Sequence, residues 1–226
     1  TRLSPVSILD MIKTPTPPLK SWPDAAARLV AVAAGRSPAD LVITNCQWVN
    51  VHSREVLPDS QIAIADGRFA YCGPDASHCI GRKTEIIDAG GMFAIPGLCD
   101  GHMHIESGML TPGQFARAVI PHGTTTMFTD PHEIANVMGL PGVKLMHDEG
   151  LMQPVNIFTQ MPSCAPSAPG LETTGYEISA EDVAEAMQWP GIIGLGEMMN
   201  FPGVVNGDAQ MLAEMAATAR AGKTIG

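Results

Sequence analysis

The 226 residues carry a formal net charge of −10 and are 45% apolar and 16% charged, the balance of a well-cored globular chain. The acidic excess excludes a surface built to grip a nucleic-acid backbone, which needs a basic face, and no apolar run approaches the roughly 20 residues of a membrane span. Five cysteines (Cys46, Cys72, Cys79, Cys99, Cys164) form no C-x-x-C pair, which argues against a zinc knuckle or disulfide framework and for a reducing, cytoplasmic setting.

Residues 1–22 hold four of the nineteen prolines and little periodicity, so an extended arm is expected there. The start at Thr1 lacks the cationic-then-apolar pattern of a secretory signal. With no methionine at the start and no polar tail after "RAGKTIG", the sequence reads as a trimmed or partial chain. Pro23 followed by an alanine-rich run and Gly35 predicts a helix that closes an N-terminal segment, 1–35. Residues 36–91 then alternate short β-rich runs (41–44, 48–51, 61–65, 69–71) with Pro-Asp and Asp-Gly turn signals. A small antiparallel β unit is expected, with "ADGR" as a hairpin turn.

From residue 92 onward the rhythm changes. Apolar strand-like runs at 92–100, 124–130, 155–161 and 191–198, and a start at 223–226, are separated by helical stretches at 111–123, 135–150, 179–190 and 206–222. The repeat of about 30 to 35 residues is that of a strand-plus-helix unit. Ser179 and Asp182 read as a capping box, and Met211 and Met215 at helical spacing read as core. Residues 92–226 therefore hold an α/β region of about four βα units, either half of a (β/α)8 TIM-type barrel or an open doubly wound sheet. No G-x-G-x-x-G follows a strand, which removes the main reason for the open sheet. Each strand also ends in polar groups, namely Asp100, His102 and His104; Asp130, His132 and Glu133; Thr159 and Gln160; and Glu197. Barrel enzymes build their sites at that rim, so the barrel is favoured.

Strand alternation sends His102 and His104 to one side, where two neutral imidazoles can converge on a divalent ion, or can simply cap the strand end. Glu197 closes the apolar run "IIGLGEMMN". A buried carboxylate there needs a partner, which is either a structural ion pair or a cation that it bridges. Asp130 is a turn residue or a site residue, and Glu133 is acidic at a helix start, where the helix dipole favours it. Glu106 either holds a ligand histidine from behind or touches substrate. Thr111 and Pro112 read as N-cap and first helical residue, and His122 as structural beside Gly123. His52, His78 and His147 fall in loop or helix-surface contexts. Serine-hydrolase, P-loop and H-E-x-x-H patterns are missing, as is the H-x-E…P-C-x-x-C pattern of the zinc deaminases.

The stretch "IPGLCDGHMHIESGMLTPGQFARAVIPHGTTTMFTDPHEIANVMG" resembles the adenine deaminase family of the amidohydrolase superfamily. Pro96, Gly97, Asp100, His102 and His104 carry the general P-G-x-x-D-x-H-x-H pattern. The longer H-I-E-S, P-H-G-T-T and D-P-H-E-I-A-N-V segments point to adenine deaminases rather than to dihydroorotases or hydantoinases. The likeness runs over about residues 36–226 and includes "PSCAPS" and "GLGEMMNFPGV". It implies a (β/α)8 barrel preceded by a small β-sandwich, and two divalent metal ions (manganese, iron or zinc). His102 and His104 would hold one ion and Glu197 would bridge both. Asp130, His132, Glu133 and Glu106 would bind substrate or support the ligands. The implied reaction is hydrolysis of adenine, a purine-salvage substrate, to hypoxanthine and ammonia by a metal-activated hydroxide in a cytoplasmic homo-oligomer. A cyclic-amide hydrolase of the same superfamily and a non-catalytic truncated module are the competing readings. The family's remaining metal histidines and its proton-shuttling aspartate belong to strands five, six and eight, past Gly226. The 226 residues alone are therefore expected to bind metal weakly at best and to release no ammonia from adenine; sustained conversion by the purified chain would overturn this.

Overall fold

The computed structural model describes residues 20–226, so the expected extended arm lies, up to residue 19, outside the described residues. The chain divides between Pro96 and Gly97 into two compact units.

The first unit opens with helix α1 (Trp22–Ala33), capped by the Ser21 side chain and carrying Pro23 in its first turn. Ala25, Leu29 and Val32 recur at helical spacing, are buried, and share a core with Val42, Ala63 and Ala65. Strands β1 (Leu41–Asn50), β2 (Glu55–Ala65) and β3 (Arg68–Gly73) pair antiparallel. Asp66 and Gly67 both take left-handed φ (50° and 68°), which is what a two-residue hairpin turn requires. Two further strands, β4 (Glu85–Asp88) and β5 (Phe93–Ala94), run parallel to β1. The unit is thus a single mixed sheet among the described residues, and not the purely antiparallel unit expected. The segment before β4 is long enough to cross back over the sheet, and parallel pairing needs such a crossover.

The run 92–100, expected as one strand, is two. Pro96 lacks the N–H that a ladder needs, and β5 stays with β1 while β6 (Leu98–Met103) begins the second sheet. That sheet contains β6, β7 (Thr124–Thr129), β8 (Asn156–Met161), β9 (Ile192–Leu195) and β10 (Thr224–Ile225). All pairs are parallel and the order is β10-β9-β8-β7-β6. Consecutive strands are neighbours without a reversal, which is the wall of a (β/α) barrel; a doubly wound sheet reverses at a switch point.

Helices α2 (Pro112–Val119), α3 (His132–Leu151), α4 (Ala180–Ala186), α5 (Phe201–Val205) and α6 (Ala209–Arg220) fill the connections. α2 is shorter than predicted because Pro121 turns the chain and Gly123 closes it at φ 92°. α3 is longer than predicted and starts at His132, so His132 and Glu133 lie in its first turn. The expected box at α4 forms, with the Ser179 hydroxyl accepting from the Asp182 N–H at 3.1 Å and the Asp182 carboxylate accepting from the Ser179 N–H at 2.9 Å. Met161, Ile178, Val183, Met187, Ile192 and Leu195 form the core between sheet and helices. Each such side chain contributes about 1.5–3 kcal/mol on burial. His147, expected at a helix surface, is buried; its Nδ1 lies 3.2 Å from Thr159 Oγ1 and its ring stacks on Trp189. Among the described residues no helix is long and apolar enough to cross a membrane.

Two positions test this packing. Gly139 kinks α3 at φ 63°, ψ −150°, and a Cβ there would overlap the Tyr176 ring. That backbone region is essentially glycine-only, so Gly139→Ala should cost about 1–3 kcal/mol, read as a lowered urea midpoint. Glu214 sits on the inner stripe of α6 with no exposed surface; Oε1 accepts from Gln210 Nε2 at 3.3 Å and Oε2 has no partner. Burial pushes its pKa up to about 8. The folded chain therefore holds a proton that the unfolded chain gives up, and stability falls as pH climbs from the ordinary glutamate range through about 8. Glu214→Gln should flatten that decline in urea titrations run at both ends of the window.

Candidate metal centre

His102 lies in β6, and His104 follows directly after it with the backbone still extended (φ −105°, ψ 94°). Alternation therefore continues across Met103 and both rings reach the same side, their Nε2 atoms 2.8 Å apart. Glu197, two residues past β9, brings Oε1 to 3.2 Å from His104 Nε2 and 3.6 Å from His102 Nε2. Ligand atoms about 2.1 Å from a tetrahedral ion lie about 3.4 Å from one another. The three separations bracket that value, so this donor set fits one divalent cation. Glu197 is not buried as the sequence suggests: its side chain is 46% exposed and His102's is 44% exposed, leaving the trio open to a small molecule.

The far side of His104 is held by carboxylates. Its Nδ1 lies 3.1 Å from Glu133 Oε2, and Glu133 Oε1 accepts from Ser107 Oγ. A carboxylate on Nδ1 keeps the proton there and leaves Nε2 with its lone pair toward Glu197. Burial opposes charge on Glu133, but Ser107 and His104 outweigh it and hold the carboxyl below the usual glutamate range. Glu106 Oε1 accepts from the Ile134 N–H at 3.4 Å, at the start of α3. Burial, with Glu133 beside it, pushes the Glu106 pKa up to about 7. One ligand atom each from His104, Glu106 and Glu133 falls within 4.8 Å of the others.

Asp130 and His132 form the buried floor, 0% and 3% exposed. Asp130 Oδ2 accepts from the Glu197 N–H at 2.9 Å, and Oδ1 lies 2.6 Å from His132 Nδ1, close but out of line for a hydrogen bond. Burial works against charge on the His132 ring, yet Asp130 and Cys164 outweigh it and push its pKa up to about 10. Burial likewise opposes the Cys164 thiolate, but His132 draws that pKa down. Asp130, His132 and Glu197 also bring ligand atoms within 4.8 Å of one another, and Asp130 at the same time holds the Glu197 backbone.

His102, His104, Glu106, Asp130, His132, Glu133 and Glu197 thus meet at one rim, whereas Thr159, another polar strand-end residue, is buried against His147. Ser163, fully buried, was not singled out in the sequence; its hydroxyl donates to the Glu197 carbonyl at 2.6 Å. The only sequence signal for it is a small polar residue just past the end of an apolar strand.

The Amidohydrolase family model matches residues 93–225. Adenine deaminases are similar to the chain: that of Ruegeria pomeroyi is 78% identical over 206 residues, 91% of this chain and 34% of the relative. That of Moorella thermoacetica is 56% identical over 202 residues, 89% of this chain and 34% of the relative. The chain therefore spans about a third of the length of the curated relatives it matches. Among solved structures, atrazine chlorohydrolase from Arthrobacter aurescens TC1, complexed with zinc, has the same fold over 65% of this chain and 41% of its own, with TM-score 0.52 and 16% identity. With barrel strands in consecutive order, a histidine pair and glutamate at their ends, and a family match over 93–225, the chain belongs to the amidohydrolase family, which uses divalent metal ions.

Proposed function

We propose that this chain is the part of an adenine deaminase that carries the first metal ligands, and that the whole protein hydrolyses adenine to hypoxanthine and ammonia. The observation that carries this reading is 56–78% identity to proteins of that name across the residues that build the site. The geometry adds a donor trio suited to a divalent ion and exposed enough for a small substrate.

In this reading His102, His104 and Glu197 would hold the divalent metal ions. When bound, the ions supply Lewis-acid activation of water. Glu133 keeps the His104 proton on Nδ1 so that Nε2 stays available. Glu106, beside the same imidazole and carboxylate, contacts substrate. Asp130 and His132 fix the backbone that carries Glu197. The reading extends to two ions drawn from manganese, iron and zinc, and to a cytoplasmic homo-oligomer acting in purine salvage.

The test is ammonia and hypoxanthine release from adenine by the full-length polypeptide that carries this sequence. Ring opening of hydantoin or dihydroorotate instead would replace the proposal with a cyclic-amide hydrolase. Removing an outer partner of a metal ligand typically costs 10–100-fold, so Glu197→Gln, a direct ligand, should lower kcat/KM by more than about 100-fold and reduce bound metal. Undiminished turnover by that variant would refute the ligand assignment.

A further inference from the structure

The backbone around Glu197 has left the β-ladder. β9 ends at Leu195, and Glu197 follows Gly196 in a G-L-G-E segment whose glycines permit many conformations. The Gly196 and Glu197 N–H groups and the Glu197 carbonyl are nonetheless engaged. The Gly196 N–H donates to the Met161 carbonyl at 2.6 Å, and the Glu197 N–H donates to Asp130 Oδ2 at 2.9 Å. The Glu197 carbonyl accepts from Ser163 Oγ at 2.6 Å, and from the Met199 N–H at 3.1 Å. The groups doing this come from the ends of β7 and β8, and both Asp130 and Ser163 have no exposed surface. Gly196 lies so close to Asp130 that a Cβ would overlap its carboxylate. By contrast, the Glu197 side chain is half exposed, and its Oε1 lies 3.2 Å from the His104 ring and 3.6 Å from the His102 ring. Its backbone is therefore held by buried groups while its carboxylate stays half exposed.

We propose that Ser163 is a positioning residue for Glu197, its hydroxyl closing with Asp130 a two-sided clamp on the Glu197 peptide groups that aims the carboxylate at His102 and His104. The proposal rests on Glu197 being a metal ligand, as above. A ligand held about 1 Å off its place loses much of its affinity for an ion, and the Ser163 hydroxyl, at 2.6 Å, is a far closer donor to the Glu197 carbonyl than the Cys164 thiol at 4.0 Å.

The experiment uses the full-length polypeptide that carries this sequence, with Mn2+ as probe and free Mn2+ followed by electron paramagnetic resonance. Ser163→Ala should weaken Mn2+ binding about 10–100-fold, the range for outer partners of metal ligands, while Ser163→Thr, which keeps the hydroxyl, should recover most of it. Glu197→Gln runs beside them. If it binds Mn2+ unchanged, the ligand reading fails. If it loses Mn2+ while Ser163→Ala binds as tightly as the unaltered protein, the clamp alone is overturned. Hydrogen exchange in the unaltered, metal-free protein gives a readout that does not depend on a variant folding. The Glu197 amide should exchange as slowly as the amides of β9, although it lies beyond the strand; exchange at the rate of an open loop refutes the clamp.

Discussion

Asp130 has no surface in contact with water, and its two carboxylate oxygens face the Glu197 N–H on one side and the His132 ring on the other. A carboxylate in that position is costly to bury alone, and removing either neighbour would leave a charge without compensation. The pairing with His132 satisfies the electrostatics, and the bond to the Glu197 N–H spends the remaining oxygen on a neighbouring segment of chain. The ends of β7 and β9 are joined in this way, and Ser163 brings in the end of β8. The order of the rim depends on that junction, because Asp130, Ser163 and Glu197 all lie past the ends of their strands.

The arrangement separates two jobs. Buried groups, Asp130, His132 and Ser163, set where the backbone goes, while half-exposed groups, His102 and Glu197, meet whatever enters. His104 stands between them, held at Nδ1 by Glu133 and open at Nε2. A site built so keeps its reactive edge accessible without leaving its geometry to side-chain rotamers alone.

Different parts of this were legible in the sequence for different physical reasons. The strand-helix rhythm and the histidine pair follow from period-two alternation and from apolar runs, both of which survive into the structure. The burial that the apolar run around Glu197 suggests does not hold: Glu197 is half exposed, and among the described residues the buried carboxylates are Asp130 and Glu214. The stripe Met211, Glu214, Ala217, Thr218 could have exposed Glu214, but a glutamate in an alanine-rich helix is ordinarily read as a solvent-facing residue. The break at Pro96 was visible as a missing N–H, yet the apolar residues on both sides masked it. The position of Ser163 just past an apolar strand says little by itself, since its role depends on a carbonyl 34 residues away. Periodicity reveals which face a residue occupies; it carries nothing about which distant backbone group waits there.

The contact between Gly196 and Asp130 has a consequence for how this sequence can drift. The carboxylate fills the space that any side chain at 196 would need, so neither position is free to change alone. A relative with alanine or serine at 196 would have to carry a shorter or absent group at 130, and with it surrender the hold on the glutamate that follows. The two positions form one heritable unit across 66 residues of chain, and they are expected to vary together or not at all.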